Sequence, residues 1–371
     1  MSVAGPVSSA IAAVEAARHT PVVPGAPLLP GVVGVMWADG RVIAEHVAGS
    51  AVLYDAAGAL LPEPARSATR ADTVFDVASL TKLCTATLAL QQAEAGLLDL
   101  DAPVADYLPV FAAGGKQDIT VAQLLTHTSG LESWLPLWRD WPTPRERIHA
   151  ALTRPQASPA GRFVYSDLNL ITLGVLLENR CATPLDVLLR DHVTTPLGMS
   201  DTGYVTQLGH LDPERFAATE IEDDAGRGLV RGEVHDENSW SLGGVAGHAG
   251  VFSTAADLLQ FARVFLGGGE VDGTRILSEE SVVRMTTNLN GDLPDDAHGL
   301  GFEIDQPRYM GELSGPRTIG HTGFTGVSLV VDLDRSAVAI LLSNAVHPRR
   351  GTAPTNAVRA AWATGLSRAL A

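Results

Sequence analysis

The sequence is poor in cysteine, in basic residues and in long apolar runs. Cys84 and Cys181 are the only cysteines among 371 residues. They are too few for a disulfide framework and lack metal-site spacing, so we interpret both as buried apolar side chains. Lysine and arginine total 26 against 42 acidic residues, a formal charge of -16, without a basic cluster. We therefore expect no nucleic-acid and no membrane partner.

The first residues also lack the features of a secretory signal. No basic residue precedes Arg18, and Glu15 interrupts the apolar run. No later stretch reaches the roughly 18 apolar residues that a membrane-spanning helix needs. With so little cysteine, the sequence predicts a cytoplasmic protein.

What the chain does contain is typical of a folded protein. Hydrophobic residues make up 46% and charged residues 18% of the sequence. A chain of 371 residues suits one large α/β unit or two lobes that share an interface.

Two hairpin patterns lie near the ends of the chain. Apolar segments 31–37 and 42–49 flank an Asp-Gly pair at 39–40, which tolerates the positive φ angles of a tight turn. Segments 327–334 and 336–344 form the second pattern. Because an isolated hairpin cannot bury its apolar face, we expect both in one antiparallel sheet.

Helical patterns occur at both termini. Ser8 and Ser9 are expected to cap an opening helix that ends before Pro21 and Pro24, and residues 355–371 have helical character.

The middle of the chain is mostly helical in pattern, with proline and glycine punctuation. The sequence therefore predicts an α/β (α+β) fold in which terminal helices flank an antiparallel sheet. We predict an α/β lobe from residues 1–100 and 235–371, a mainly helical lobe from 101–234, and an active site in the cleft between them.

A serine and a lysine stand three residues apart in segment 75–96, which has a helical pattern ending at Gly96. Ser79 and Lys82 would be neighbours on one helix face near its N-terminus, where negative charge is favoured. A lysine amine can take the serine proton if its pKa is lowered. The alternative is a capping serine beside a solvated lysine, because Ser-x-x-Lys also occurs by chance.

A tyrosine and an aspartate precede the apolar helix pattern within segment 158–178. Tyr165 could act as a general base or acid there. The alternative is a core tyrosine followed by a capping aspartate, Asp167.

A His-Thr-Gly sequence, His321 to Gly323, precedes an apolar strand pattern. Glycines at 320, 323 and 326 would let a backbone approach a ligand along the strand edge. The alternative is a strand that begins with a glycine bulge.

Taken in order, these motifs resemble the Ser-x-x-Lys, Tyr-x-Asn and Lys-Thr-Gly motifs of serine β-lactamases and penicillin-binding proteins. The likeness is to the branch with class C β-lactamases, D-alanyl-D-alanine carboxypeptidases, D-aminopeptidases and esterases. It extends over most of residues 70–345, through LLTHTSGL (124–131), PLGMSDTGY (196–204), GHAGVFSTAADLLQFA (247–262) and HGLGFEI (298–304). It implies a β-lactamase/transpeptidase-like fold.

The resemblance also implies roles for individual residues. Ser79 would form an acyl-enzyme, and Lys82 with Tyr165 would carry its proton to the leaving group. The backbone N–H groups of Ser79 and Phe324 would form the oxyanion hole, beside substrate-binding Thr322. No metal and no organic cofactor is implied.

Two residues depart from the family motifs. His321 replaces a lysine, and a histidine is mostly neutral near pH 7, so binding of a substrate carboxylate is less assured. Asp167 replaces an asparagine, and its anion could hold Lys82 protonated or pair with a substrate amine. Both changes point away from an efficient β-lactamase.

Segment 232–250 concentrates polar residues beside a glycine-rich turn. We predict substrate contacts for His235, Asn238 and His248, with a polar surface loop as the alternative. The segment is similar to a His-Asp-x-Asn segment of muropeptide amidases, which makes cell-wall amides candidate substrates.

Other conspicuous side chains have simpler interpretations. We expect His127 to be structural and to bond carbonyls at a helix end. Trp134, Trp138 and Trp141 are expected either in the core or on a wall of the cleft.

The sequence thus predicts a serine hydrolase that cleaves an amide or ester of a small-molecule or peptide substrate. An acyltransferase or thioesterase-like enzyme, a β-lactamase proper and a non-turnover penicillin-binding sensor remain alternatives.

Overall fold

The computed structural model describes residues 4–23, 26–291, 296–351 and 355–371. The α-helices among them are α1 (Ala4–His19), α2 (Thr81–Glu94), α3 (Val104–Tyr107), α4 (Val121–Leu125), α5 (Leu137–Asp140), α6 (Pro144–Thr153), α7 (Asp167–Cys181), α8 (Leu185–Leu189), α9 (Glu237–Ser241), α10 (Ala255–Leu266), α11 (Glu279–Thr286), α12 (Pro307–Met310) and α13 (Thr355–Ala369).

The strands of the described residues are β1 (Pro21–Val23), β2 (Ala26–Pro27), β3 (Gly31–Ala38), β4 (Arg41–Val52), β5 (Ser67–Ala68), β6 (Phe75–Asp76), β7 (Gly203–Tyr204), β8 (Ala218–Glu222), β9 (Gly228–Arg231), β10 (Val251–Ser253), β11 (Glu270–Val271), β12 (Thr274–Arg275), β13 (Glu303–Ile304), β14 (Thr318–Thr322), β15 (Ser328–Asp332) and β16 (Ala337–Ser343). The main sheet is antiparallel and has seven strands in the order β13-β14-β15-β16-β3-β4-β5.

Both predicted hairpins belong to this sheet. β3 and β4 pair with Ala38 opposite Arg41, and Asp39 and Gly40 between them have φ angles of 52° and 74°. β15 pairs with β16, and β16 pairs with β3, which joins the two ends of the chain. The prediction of one antiparallel sheet is confirmed.

Helices cover both faces of the sheet. Val33 and Val35 of β3 belong to the large core shared with α10, whereas Val32 and Met36 face the terminal helices α1 and α13. Because alternate strand residues point to opposite faces, burial of both faces requires the nearly continuous apolar sequence seen here. The predicted terminal helices flanking the sheet are confirmed.

The cap predicted for the first helix is wrong. Ser8 and Ser9 lie inside α1, where Ser9 Oγ donates to the carbonyl of Gly5 over 3.1 Å. The preceding residues AGPV are already helical, since a proline in the first turn loses no hydrogen bond. The helix ends before Pro21, as predicted, and Pro24 lies outside the described residues.

The helix predicted over residues 75–96 is shorter at its start. Its first two residues form β6, which pairs with β10, and a 3₁₀ turn from Ala78 to Leu80 leads into α2. The buried carboxylate of Asp76 accepts the N–H of Ala78 over 2.8 Å, and Ala78 has a φ of 47°. This left-handed residue prevents a continuous helix and sets Ser79 just ahead of α2.

The division into two lobes stays a prediction. Strands of the seven-stranded sheet come from residues 31–68 and 303–343, and α2 to α8 lie within residues 81–189. None of the helices in the described ranges is both long and apolar enough to cross a bilayer.

Candidate active site

Ser79 and Lys82 are in direct contact. Ser79 lies in the 3₁₀ turn before α2, and Lys82 follows in the first turn of the helix. Lys82 Nζ donates to Ser79 Oγ over 2.9 Å. The lysine is only 1% exposed, so the alternative of a solvated lysine is wrong.

Asp167 pairs with Lys82 and favours its charged form. Its Oδ1 lies 2.8 Å from Lys82 Nζ, which also donates to the backbone carbonyl of His248 over 3.1 Å. Burial is the largest single influence and lowers the pKa of Lys82. The charge of Asp167, the neighbouring Tyr165 and hydrogen bonds with both together outweigh burial, so the net pKa lies above its ordinary value. Lys82 is therefore an ammonium at neutral pH.

Tyr165 lies beside this pair, two residues before the start of α7. Lys82 Nζ is 5.0 Å from the centroid of its ring. Desolvation raises the pKa of Tyr165, whereas the charge of Lys82 and hydrogen bonding with Lys82 and Ser79 lower it, and the net pKa stays above its ordinary value. The phenol is thus mostly protonated at neutral pH.

His321 is a neutral histidine with a defined tautomer. Burial and the nearby charge of Lys82 lower the pKa of His321 to about 3. Its Nδ1 lies 2.8 Å from the carbonyl oxygen of Thr322, which can only accept, so Nδ1 carries the proton. Its Nε2 is buried and has no hydrogen-bond partner among the described residues. His321 can therefore accept a hydrogen bond there, but it supplies no positive charge.

The glycines around His321 allow close packing within the chain. A Cβ at Gly320 would lie 2.5 Å from the carbonyl oxygen of Leu329, and one at Gly323 would lie 2.6 Å from that of Val77. Both glycines permit a close approach to the protein's own backbone, and Gly323 also lines the cavity beside Ser79. A ligand contact at these glycines stays a prediction. Gly323 in particular lets the end of β14 lie against the turn that carries the nucleophile candidate.

The backbone N–H groups of Ser79 and Phe324 are free to bind a ligand. Both residues line one cavity, and neither N–H has an acceptor within the described part of the chain. The ring of Phe324 stacks on His235 with centroids 5.7 Å apart, and the guanidinium of Arg350 lies 5.7 Å from its centroid. Two such donors can stabilise a developing oxyanion.

The three residues predicted as substrate contacts do not line the cavity. His235, Asn238 and His248 are at most 3% exposed. His235 Nε2 lies 2.9 Å from a carboxylate oxygen of Glu220, and His248 Nε2 lies 2.8 Å from one of Asp236. The polar atoms of these side chains that are bonded have their partners within the protein, whereas His248 Nδ1 is buried without a partner among the described residues.

Asn238 connects α9 to segment 134–141, which contains three tryptophans. Its Nδ2 donates to the carbonyl of Leu135 over 2.7 Å, and its Oδ1 accepts the N–H of Trp138 over 3.2 Å. Trp141 packs against the main core, and Trp134 is 45% exposed. None of these tryptophans is among the residues that line the cavity.

His127 is buried directly behind Tyr165. The two rings stack with centroids 4.6 Å apart. His127 Nδ1 accepts the backbone N–H of Ser166 over 3.0 Å, so the side chain bonds the segment around Tyr165 and not the carbonyls at the end of α4. The partners expected for His127 were therefore wrong.

A cavity of about 500 Å³ borders Ser79. Its wall combines apolar residues, among them Leu28 and Val346, with charged ones. Arg308 lines it and pairs with Glu303 over 2.5 Å. Within the described ranges, no cluster of His, Cys, Asp and Glu is arranged to hold a metal ion.

Several buried polar atoms beside this cavity have no hydrogen-bond partner in the described residues. They are His298 Nε2, Glu303 Oε2, His321 Nε2 and Arg359 Nε. Native proteins rarely leave such atoms unpaired, so this wall is suited to a ligand that supplies the missing partners.

A model of the Beta-lactamase family matches residues 24–361. The chain belongs to the Beta-lactamase family. It is a serine hydrolase of that family, as the sequence predicts. Its curated relatives include a protein of Escherichia coli (strain K12) named putative D-alanyl-D-alanine carboxypeptidase, which is 29% identical over 345 residues, 83% of this chain and 77% of the relative.

Solved structures show the same fold. EstCE1, described as a hydrolase with promiscuous acyltransferase activity, has a TM-score of 0.73 at 20% identity and covers 97% of this chain and 98% of its own. A class C β-lactamase in complex with cefoxitin has a TM-score of 0.72 at 18% identity and covers 99% and 98%. The predicted β-lactamase/transpeptidase-like fold of this Beta-lactamase family protein is confirmed.

The charged residues that line the cavity, Glu303, Arg308, Arg349 and Arg359, belong to none of the three catalytic motifs. Arg308 belongs to the short helix α12, which lies in the chain between the edge strand β13 and its neighbour β14. Its nearness to Ser79 follows from the order of strands in the sheet, and no local pattern around residue 308 indicates it.

Proposed function

We propose that Ser79 attacks the carbonyl carbon of an amide or ester and forms an acyl-enzyme. Tyr165, as its phenolate, takes the proton of Ser79 Oγ as the new carbon–oxygen bond forms. Tyr165 then gives this proton to the leaving nitrogen or oxygen as its bond to the carbonyl carbon breaks. The 2.9 Å contact of Lys82 Nζ with Ser79 Oγ, beside Tyr165 and on the cavity wall, carries this proposal.

Lys82 contributes mainly by its charge. Because Asp167 raises the pKa of Lys82, the amine is not a free base at neutral pH. The ammonium instead lowers the free energy of the serine alkoxide and of the tyrosine phenolate. The N–H groups of Ser79 and Phe324 bind the carbonyl oxygen as it becomes negative, and Thr322 borders the bound substrate.

We infer that the substrate carries a carboxylate and that Arg308 binds it. Arg308 lies on the cavity wall, whereas His321, at the position of the family's lysine, is neutral. The name of the E. coli relative supports a peptide with a free carboxyl terminus. Peptides and muropeptides of this kind fit the cavity chemistry, and small esters are expected to react without this contact.

Water completes the reaction by attacking the acyl-Ser79 carbonyl, which releases the acid and restores the serine. An amine or alcohol in place of water would make the protein an acyltransferase. Product analysis with and without an added amine acceptor separates these outcomes, and an acylated protein without turnover would indicate a penicillin-binding sensor.

Intact-protein mass spectrometry tests the nucleophile. Wild type and Ser79→Ala are exposed to a fluorophosphonate and, separately, to a penicillin, and p-nitrophenyl acetate turnover is followed in parallel. We expect a single fluorophosphonate adduct and ester turnover in wild type only. Equal behaviour of the two proteins would contradict the proposal, and rapid penicillin turnover would identify a β-lactamase.

We also propose that the protein acts in the cytoplasm. Cys84 and Cys181 are both free thiols, which is usual in a reducing compartment. Fractionation of source cells with an antibody against the protein tests this, and recovery outside the cytoplasm would contradict it.

A further inference from the structure

His127 bonds the chain on both sides of Tyr165. Its backbone carbonyl accepts the N–H of Val164 over 2.8 Å. Its Nδ1 accepts the N–H of Ser166 over 3.0 Å. The two residues that flank Tyr165 are thus bound to one buried histidine.

The tautomer of His127 is fixed by a chain of hydrogen bonds. The N–H of Leu131 donates to Ser129 Oγ, which donates to Asn169 Oδ1 over 2.6 Å. This orients the amide of Asn169, whose Nδ2 lies 3.1 Å from His127 Nδ1. Two donors thus meet Nδ1, so the ring proton is on Nε2.

The ring of His127 is also held in place. It stacks on Tyr165 at 29°, and the rings of His298 and Phe163 contact it edge-on with centroids 5.3 and 6.0 Å away. Burial lowers the pKa of His127 well below its ordinary value, and the nearby His298 and Lys82 add to this effect. The histidine therefore adds no charge beside the phenol.

The rest of the same turn supports the loop without contacting the tyrosine. Thr128 accepts the N–H of Gly161 over 2.8 Å, and Gly130 accepts the N–H of Ala157 over 2.9 Å. A Cβ at Gly130 would lie 2.1 Å from the carbonyl oxygen of Ser158, so the turn fits closely against this loop.

We propose that His127 is a positioning residue that holds the hydroxyl of Tyr165 beside Lys82 and Ser79. Its carbonyl and Nδ1 fix the backbone on either side of the tyrosine, and its ring fixes the plane of the phenol. This inference rests on the proposed role of Tyr165 in proton transfer.

Two substitutions distinguish the hydrogen bond that His127 Nδ1 accepts from the stacking of its ring on Tyr165. His127→Phe keeps a stacking ring but removes the acceptor, whereas His127→Asn keeps an acceptor near the position of Nδ1 and removes the ring. Asparagine also tolerates the positive φ of 57° at this residue. Gln156→Ala is the matched control, because Gln156 donates to the carbonyl of Ser129 over 2.8 Å but does not contact Tyr165.

Ester turnover and a ¹⁹F spectrum report on Tyr165 separately. The protein is labelled with 3-fluorotyrosine, and Tyr165→Phe assigns the signal of that residue among five tyrosines. For His127→Phe we expect kcat to fall about 10- to 100-fold with KM nearly unchanged, since small misplacements of a reacting group cost this much. The Tyr165 signal should shift or split, and His127→Asn should show a smaller change of both readouts.

The proposal is overturned if folded His127 variants match Gln156→Ala in kcat and in the Tyr165 signal. A fall in kcat with an unchanged signal, or a changed signal with unchanged kcat, would also overturn it. Should His127→Phe not fold, His127→Asn decides alone. If wild type shows no Ser79-dependent turnover, the proposed function fails, and the ¹⁹F signal still tells whether His127 holds Tyr165.

Discussion

Two sets of polar groups around the cavity differ in how far they are paired within the protein. The first set, the serine cluster, comprises Ser79, Lys82, Tyr165 and Asp167. The second set, the arginine wall, comprises His298, Glu303, Arg308, His321 and Arg359. In the serine cluster, Lys82 Nζ bonds both Ser79 Oγ and Asp167 Oδ1, so these polar groups are paired within the protein. On the arginine wall, four of the five residues have a buried polar atom without a partner in the described part of the chain.

This difference indicates that the serine cluster serves catalysis and that the arginine wall serves ligand binding. A buried polar atom left unpaired costs about 1–3 kcal/mol, which a bound ligand can recover by supplying a partner. The serine cluster is organised before substrate arrives, as electrostatic catalysis requires. We therefore expect the two sets to respond separately to substitution.

The largest effect should come from removing the nucleophile alone. Ser79→Ala should lower turnover by about 10³-fold or more, because the acyl-enzyme cannot form. Binding of a short N-acylated peptide ending in D-alanine should remain within about threefold of wild type, because the arginine wall is intact. Turnover assays and titration calorimetry check this. If Ser79→Ala lost peptide binding as well as turnover, the two sets of residues would not act separately.

The pH dependence reports on the serine cluster. Because the pKa of Tyr165 is raised, its phenolate fraction, and with it kcat/KM, should increase about tenfold per pH unit between pH 7 and 9. His321, with a pKa of about 3, should give no inflection near pH 6.5. Initial rates across pH 5 to pH 10 measure both, and a plateau starting near pH 6 would point to a different base.

Substitution of Arg308 tests the arginine wall. Arg308→Ala should raise KM about 10- to 100-fold for a peptide with a free carboxylate, because a charge-assisted hydrogen bond is lost. The methyl ester of the same peptide, which lacks the negative charge, should be affected by less than about threefold. Steady-state kinetics with the peptide and its methyl ester test this prediction. An equal rise in KM for both substrates would assign Arg308 a structural role.

The smallest effect concerns the ion pair inside the serine cluster. Asp167→Asn should destabilise the protein by about 1–3 kcal/mol at pH 7, because it weakens the hydrogen bonding of the buried Lys82 ammonium. With the carboxylate, the folded pKa of Lys82 lies above its unfolded value. Without the carboxylate, the folded pKa should fall, because burial is then opposed only by Tyr165. The loss should thus shrink as pH rises from 7 towards 10, and urea unfolding at both pH values checks this.

Local sequence patterns predicted those parts of the fold and site that depend on local geometry. The Asp39-Gly40 turn and the apolar strands around it follow from turn chemistry and strand length. The contact of Ser79 with Lys82 follows from their helical spacing, although the helix itself begins later than expected. The pattern could not reveal that β6 pairs with β10, because that pairing joins segments far apart in the chain.

Long-range contacts also explain the errors at the site. Nothing near His235 or Asn238 in the sequence indicates that their polar atoms bond Glu220 and Leu135, and a substrate contact of either residue stays a prediction. His127 was expected to bond its own helix end, but its acceptor is used by the segment before α7. In both cases the partner is distant in sequence, so short-range patterns do not contain the information.

The position of β16 in the sheet has a consequence for synthesis of the chain. β16 lies between β15 and β3, and Arg359 of α13 donates to the carbonyl of Gly323 over 2.7 Å. A nascent chain therefore carries Ser79 outside the ribosome long before the strand that completes its sheet is made. Until then β3 has an open edge, which favours aggregation. We expect the protein to need chaperone protection during translation and to become active only after α13 has left the ribosome.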